Sequence, residues 1–182
     1  ARILGKYEEA RQYAKQGYTY TVTTGDEFTG AYCLREWGRA SQLLGDLADA
    51  KPHLWASYAF QKDFGDLRGM AEALNNLGQL GLLEGNIAEA RRCYEQARTI
   101  CHDLGVINGL IISLEGMGNS ARAMGHYGEA RRYLREALQL SSQHIASLTP
   151  LIFVGIGELF LQPGKQARGI ELLALALLHP AS

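Results

Sequence analysis

Four sets of residues are each spaced three, four and three positions apart, and the first three sets carry polar side chains suited to recognising a peptide. The sets are Tyr32, Arg35, Arg39 and Gln42; Glu72, Asn75, Gln79 and Leu82; Ile112, Glu115, Asn119 and Arg122; and Leu151, Val154, Glu158 and Leu161. On an α-helix this spacing keeps each set on one side. Amides such as Asn75, Gln79 and Asn119 donate and accept together, which suits an extended peptide backbone. Arginines add pairing with carboxylate or phosphate, and Glu36 and Asn76 border the same face.

The same pattern has a second interpretation, because any solvated helix face is polar. Arg35 and Arg39 would then form surface ion pairs with Glu36 or a neighbouring repeat, worth about 0–1 kcal/mol. The last set is apolar apart from Glu158, which indicates either a hydrophobic pocket or a face covered by a C-terminal part of the protein.

Catalytic and metal-binding patterns do not appear in the sequence. The five histidines are scattered, and no HExxH, GxxxxGK[ST] or GxSxG motif occurs. Cys101 and His102 are adjacent, so on a helix they point in different directions. The three cysteines lack metal-ligand spacing and are typical of thiols in a reducing cytoplasm. We therefore expect no cofactor, no metal and no enzymatic activity.

The charge pattern gives no sign of a nucleic-acid or membrane partner. The formal net charge is −1, which does not favour polyanions or anionic lipid. The longest apolar run, LLALALL at 172–178, is too short to span a bilayer. Arg91–Arg92 and Arg131–Arg132 recur 40 residues apart; we interpret them as a solvated outer face, with a convex nucleic-acid contact as the alternative.

A repeat of 40 residues positions these side chains, and its glycines show it most clearly. Three columns share that period: Gly5, Gly45, Gly85 and Gly125; Gly25, Gly65 and Gly105; and Gly38, Gly78 and Gly118. After one deletion the register resumes at Gly157 and Gly164. Apolar residues at helical spacing lie on both sides of the first column, so each repeat is two helices, called here the first and the second.

Each glycine column has a predicted structural role. The first lies in the turn between the two helices of a repeat, and the second ends the second helix, both with left-handed glycine. Asp26 and Asp66 follow as N-caps. The third column lies inside the first helix, where the second helix crosses too closely for a side chain, and Ala50, Ala90 and Ala130 are the matching small residues.

Several segments test this register. GYTYTVTTGD, 17–26, would alone read as a strand, but its alignment with ARTICHDLGV, 97–106, predicts a helix. Pro52 falls in the first two turns of a second helix, and Pro150 near the start of the last first helix. Side chains expected to pack between helices or in the core are Trp37, Trp55, Leu54, Tyr94, Tyr133 and Leu134.

The segment NNLGQLGLLEGNIAEARRCYEQA, 75–97, resembles a tetratricopeptide repeat (TPR), and the resemblance covers nearly the whole chain. It implies an all-α fold, a right-handed α-solenoid of about four and a half helix-turn-helix repeats. The expected domain is a single one, 1–182, with units near 1–24, 25–64, 65–104, 105–144 and 145–180. In TPRs the first helices line the concave wall. The resemblance therefore makes the following a ligand- or peptide-binding surface: Tyr32, Arg35, Arg39, Gln42, Asn75, Asn76, Gln79, Glu115, Asn119, Arg122 and Glu158.

The expected function is binding of a protein, a peptide or a small effector on that surface. The long repeat and the ending ELLALALLHPAS, 171–182, are similar to the C-terminal arms of bacterial signal-transduction ATPases (the STAND class) and of LuxR- or AfsR-like regulators. That resemblance implies a fragment of a larger cytoplasmic bacterial signalling or transcriptional regulator. The alternative is a structural scaffold that forms homo-oligomers through its apolar C-terminal helix.

Overall fold

The computed structural model describes the backbone of residues 2–144 and 149–160, and side chains from 5–144 and 152–157. Its helices are α1 (Arg2–Thr24), α2 (Glu27–Leu43), α3 (Leu47–Asp63), α4 (Leu67–Leu83), α5 (Ile87–Leu104), α6 (Ile107–Ala123), α7 (Tyr127–His144) and α8 (Thr149–Phe160). No strand occurs in these ranges, which confirms the all-α class. Even-numbered helices are the first helices of the repeats, and odd-numbered helices are the second.

Left-handed glycines end the helices as the columns predict. Gly25, Gly65 and Gly105 follow second helices, and Gly45, Gly85 and Gly125 follow first helices, with φ between 68° and 83°. The prediction for Gly5 was wrong, because Gly5 lies inside α1. A left-handed residue is needed only where a helix stops, and here the preceding turn continues the helix through the glycine, at a cost of about 1 kcal/mol.

Aspartate caps fix three of the helix starts. The carboxylate of Asp26 accepts from the backbone N–H of Thr29 at 3.0 Å, and Asp66 accepts from Gly69 at 2.9 Å. Both N-caps are therefore confirmed. Asp46 caps α3 in the same way, through Asp49 N–H at 3.1 Å. Each cap satisfies a donor that the first turn of a helix leaves without a partner.

The chain divides into two compact units, 1–86 with α1–α4 and 87–182 with α5–α8. In the first unit, a Cβ on Gly38 would lie 2.7 Å from Leu54 and 3.0 Å from the carbonyl oxygen of Ala50. In the second, a Cβ on Gly118 would lie 2.7 Å from Leu134. The predicted close crossing is therefore confirmed in each unit.

The β-branched segment at the end of α1 is helical, as its register predicts. Packing against α2 explains this, because Gly17 abuts the Cys33 sulfur and Gly30 abuts Thr21, at 2.9 Å and 3.0 Å from a built Cβ. The hydroxyl groups of Thr19 and Thr21 also donate back to carbonyls three or four residues earlier. Tertiary contacts thus override the strand propensity of this segment.

The remaining core predictions can be compared with burial. Leu54, Tyr94, Tyr133 and Leu134 are all buried, and so are Ala50, Ala90 and Ala130. α3 runs through Pro52, and α8 begins at Thr149, directly before Pro150.

Two sequence predictions concern residues outside the described ranges, namely the C-terminal segment 171–182 and the end of the last repeat. The single-domain organisation also stays a prediction. None of the helices in the described ranges has the length and apolar character needed to cross a membrane.

Candidate recognition surfaces on the first helices

The first helices of the first unit present a charged and polar surface, called here the α2–α4 face. It comprises Tyr32, Arg35, Glu36 and Arg39 of α2 with Glu72, Asn76 and Gln79 of α4. Arg35 pairs with Glu72 across the two helices and with Glu36 on its own helix at 3.2 Å. Its side chain is only 12% exposed. Arg39 pairs with Glu36 at 3.2 Å and is 57% exposed, so it is the arginine that a partner can reach.

Tyr32 is held in place at the edge of this face. Its hydroxyl donates to the Asp66 carboxylate at 2.7 Å, and the Arg35 guanidinium lies 5.0 Å from its ring centroid. The hydrogen bond to Asp66 is the main cause of a raised Tyr32 pKa, with burial second. The ring also meets Phe28 edge to face, at 5.3 Å between centroids. Tyr32 therefore keeps one orientation and stays protonated at neutral pH.

Two predicted outward-facing residues are buried instead. Gln42 is 5% exposed and Asn75 is 7% exposed, so the outward orientation expected from their spacing was wrong. Helical spacing gives a residue's angle on its own helix and does not locate the neighbouring first helix. The Arg35–Glu72 pair shows that α2 and α4 pack along this edge, and Gln42 and Asn75 occupy the same helix sides.

The amide groups that remain accessible belong to α4. Gln79 is exposed and Asn76 is partly buried. Neither makes a side-chain hydrogen bond to another residue in the described part of the chain. These two amides can therefore bond a backbone N–H and C=O without first breaking an internal hydrogen bond.

In the second unit the predicted residues lie on α6 and α8. The amide nitrogen of Asn119 donates to Glu115 on the same helix, while its oxygen is buried without a partner among the described residues. Gly155 of α8 lies beside that oxygen, 3.3 Å away when measured from a built Cβ. Arg122 is half-buried, and Glu158 belongs to α8, but its side chain lies outside the described residues.

On the second helices, cations link successive repeats. Arg11 pairs with Asp46 at 3.3 Å, Lys51 with Glu84 at 2.7 Å, and Arg91 with Glu129 at 2.7 Å. The three cations are 40 residues apart in sequence. These ion pairs between repeats were not predicted from the sequence, although Arg11, Lys51 and Arg91 occupy the same position in successive repeats. Other arginines of the basic cluster, namely Arg92, Arg131 and Arg132, are exposed, in keeping with a solvated outer face.

The Arg91–Glu129 pair should make stability depend on pH. The hydrogen bond from Arg91 is the largest cause of a Glu129 pKa below its ordinary 4.5; burial opposes it, and Tyr133 and His126 also favour the charged form. A carboxylate with a lowered folded-state pKa contributes stability above its unfolded pKa and loses it as pH falls through the folded one. We expect Glu129→Gln to cost up to about 1 kcal/mol at neutral pH and nothing well below pH 4.5.

Urea unfolding of both proteins at the two pH values measures this difference. Glu136→Gln, an exposed change on the same helix, is the matched control. The difference in stability between Glu136→Gln and the unchanged protein should be the same at both pH values. An equal cost for Glu129→Gln at both pH values would contradict the role of the ion pair.

Side chains that could hold a metal ion are not brought together in the described ranges. No cluster of three or more histidine, cysteine, aspartate or glutamate side chains has metal-binding geometry there. Cys101 is 1% exposed, whereas the His102 side chain is 74% exposed, so the two point apart. Burial also raises the pKa of the Cys93 thiol to about 11, which makes it a poor nucleophile.

The successive packed helices of each unit, with glycines at the α2–α3 and α6–α7 crossings, define an all-α helical-repeat fold. Residues 69–143 match the tetratricopeptide repeat family model. The chain is similar in fold to BtubC (BKLC) from P. vanneervenii, with a TM-score of 0.74 over 96% of this chain and 73% of that one, at 14% identity. Repeats described as the nearly identical TPR-like repeats of a kinesin light chain from Podosopora anserina give 0.71 over 97% and 88%, at 17% identity.

No curated protein matches the chain by sequence. The structural likenesses establish the fold as that of TPR solenoids. TPR scaffolds are generally protein-interaction modules.

Proposed function

We propose that this chain binds a protein or peptide through its first helices, with the α2–α4 face as the main contact. The supporting observation is a fixed charge network beside accessible polar groups. Tyr32 and Arg35 are already bonded to Asp66 and Glu72, so binding requires little ordering of this surface. Preorganisation of this kind lowers the entropic cost of association.

The accessible groups specify the partner's chemistry. Gln79 and Asn76 suit an extended backbone, which offers a donor and an acceptor at every residue. Among the described residues, Arg39 pairs with Glu36 alone, and it shares Glu36 with Arg35, so it retains donors for a carboxylate of the ligand. A peptide carrying an acidic side chain fits both features better than a basic one.

In the second unit, we propose that α6 makes a further contact through Asn119. Its side-chain amide donates to the half-buried Glu115 on the same helix, and the carboxylate of Glu115 would accept an N–H of the ligand. Glu115, Arg122 and Glu158 remain proposed contacts in the second unit. Gln42 and Asn75 are buried and are not part of the proposed contact.

The regulator context is a separate proposal. The similarity of residues 171–182 to bacterial regulator arms supports a larger cytoplasmic signalling protein in which a bound protein, peptide or small effector alters attached domains. The sequence of the full-length reading frame on both sides of this chain tests the proposal directly. A nucleotide-binding or DNA-binding domain supports it, and a reading frame that encodes neither domain contradicts it.

A displayed library of random peptides provides a test of the binding surface. Selected peptides are titrated against the intact chain by fluorescence anisotropy. We expect Arg39→Glu and Asn119→Ala each to weaken binding by about tenfold, the usual cost of a lost charge-assisted or buried hydrogen bond.

Arg92→Glu is the matched control, because it reverses an exposed arginine on a second helix. It should change the affinity by less than about twofold. Selection of no binding peptide, or equal losses for Arg39→Glu and Arg92→Glu, would overturn the proposal.

A further inference from the structure

A cleft of about 410 Å³ lies between α1 and the first turn of α3, with Trp37 of α2 in its lining. Its volume falls in the range of small-ligand sites. Trp37 lies two residues from both Arg35 and Arg39, which places it about 160° around α2 from those two arginines, and no residue of the α2–α4 face lines the cleft. The cleft is therefore a separate surface from the proposed peptide contact.

Trp37 is held with its indole ring against the cleft. Its Nε1–H donates to Asp49 at 2.9 Å, and the His53 ring stacks on it at 3.8 Å between centroids. His53 is not part of the cleft lining, whereas Lys15 is, and the Lys15 ammonium lies 5.6 Å from the indole centroid. The chain thus already places a cation against this ring, the geometry of a cation–π contact.

The position of Trp37 in the repeat is also unusual. Leu77 and Met117 occupy the same column, 40 and 80 residues later, and each is only 3% exposed. Trp37 is half-buried and faces the cleft. An aromatic side chain has therefore replaced the aliphatic packing residue of the other repeats.

The charges of the cleft favour a cationic ligand. Its lining has three carboxylates and two cations. Glu8 and Asp46 are both bonded to Arg11, at 2.7 Å and 3.3 Å. Lys15 forms no ion pair with any other residue in the described ranges.

Asp49 is the carboxylate with capacity left for a ligand. It accepts hydrogen bonds from the neutral groups of Ser41 and Trp37, at 2.5 Å and 2.9 Å, and His53 lies 3.8 Å away. Burial raises its pKa, but these hydrogen bonds together with His53 and Arg11 outweigh burial and hold the pKa below its ordinary value. Asp49 is therefore ionised at neutral pH, beside an aromatic face.

We propose that this cleft binds the guanidinium group of an arginine, stacked on Trp37 and hydrogen-bonded to Asp49, with Lys15 displaced from the ring. A guanidinium is planar, stacks on aromatic faces and donates two parallel hydrogen bonds to one carboxylate. The Lys15 ammonium lies against the Trp37 ring without forming an ion pair with a carboxylate of the described residues. A guanidinium can stack on the Trp37 ring and also bond the Asp49 carboxylate.

The probe is N-acetyl-arginine amide, with N-acetyl-citrulline amide as its uncharged counterpart. The chain has two tryptophans, so Trp55→Phe leaves Trp37 as the sole indole reporter. Titration is followed by Trp37 fluorescence and by its Nε1–H NMR resonance. Saturable binding in the millimolar range, on the order expected for a single side chain, supports the proposal, and an equal response to citrulline overturns it.

Two substitutions of opposite sign test the charge assignment. Asp49→Asn retains the hydrogen-bond acceptor for Trp37 and should weaken binding by about tenfold. Lys15→Met removes the competing cation and should tighten binding by about two- to threefold. Asp63→Asn, an exposed change elsewhere in the first unit, has the same effect on net charge and should leave binding unchanged.

Weaker binding in Lys15→Met would show that the cleft takes an anion or a zwitterion and would overturn the proposal. Free arginine and a capped peptide with one central arginine distinguish the source of the guanidinium. Tighter binding of free arginine identifies a small metabolite, and equal or tighter binding of the peptide identifies an arginine of a partner protein. Failure of both leaves no ligand of this class and overturns the proposal, independently of the α2–α4 face.

Discussion

Replacing Gly116 by alanine is expected to lower the free energy of unfolding by about 1–3 kcal/mol, the usual cost of overpacking a core. A Cβ at this position would lie 2.2 Å from the ring of Tyr94. Tyr94 is 3% exposed, so its rigid ring cannot swing into solvent, and α5 and α6 must separate. Alanine is normally favoured over glycine in a helix by about 1 kcal/mol, and the clash therefore reverses the usual sign.

Gly128→Ala is the matched control in the same unit. Gly128 lies in α7 and a Cβ there would meet nothing within 4 Å, so alanine should be neutral or stabilising. Urea unfolding of the two variants measures the contrast. In the Tyr94→Leu background the smaller side chain should remove most of the cost of Gly116→Ala. Equal stabilities for Gly116→Ala and Gly128→Ala would contradict the close crossing of α5 and α6.

The recurring glycines made much of the fold predictable from the sequence. A residue that must be left-handed or must lack a side chain is recognisable when it recurs at a fixed period, so the turns at Gly25 and Gly45 and the crossing at Gly38 were predictable. Gly5 belongs to the same column as Gly45 but does not end a helix. A column gives a residue's position in the repeat, whereas the neighbouring residues determine whether the helix ends there.

The candidate surfaces were less predictable, because they depend on contacts between distant residues. Helical periodicity placed Arg35 and Gln42 on one side of α2. Only the packed structure shows that Arg35 forms an ion pair with Glu72 of α4 and that Gln42 is buried. The Trp37 cleft arises where three helices meet. Its one sequence signal was an aromatic residue in a column that otherwise holds Leu77 and Met117.

Leu134→Ala is expected to have the largest effect of any single truncation considered, a loss of about 2–5 kcal/mol. Leu134 is fully buried in α7. It fills the space left by two glycines, with side-chain atoms 2.7 Å from a built Cβ of Gly118 and 3.1 Å from one of Gly155. Because the two facing residues are glycines and have no side chain to move into the space, most of the cavity should remain.

The loss should also reach the candidate contact on α6. Asn119 follows Gly118 and its amide oxygen lies beside Gly155, so loosening α8 against α7 exposes that oxygen to water. Hydrogen exchange of amides in α6 and α7 would show faster exchange in Leu134→Ala than in Leu104→Ala. Leu104 is 45% exposed, and its truncation should cost no more than about 0.5 kcal/mol. If Leu134→Ala left both stability and exchange unchanged, α7 would not be the element that positions Asn119.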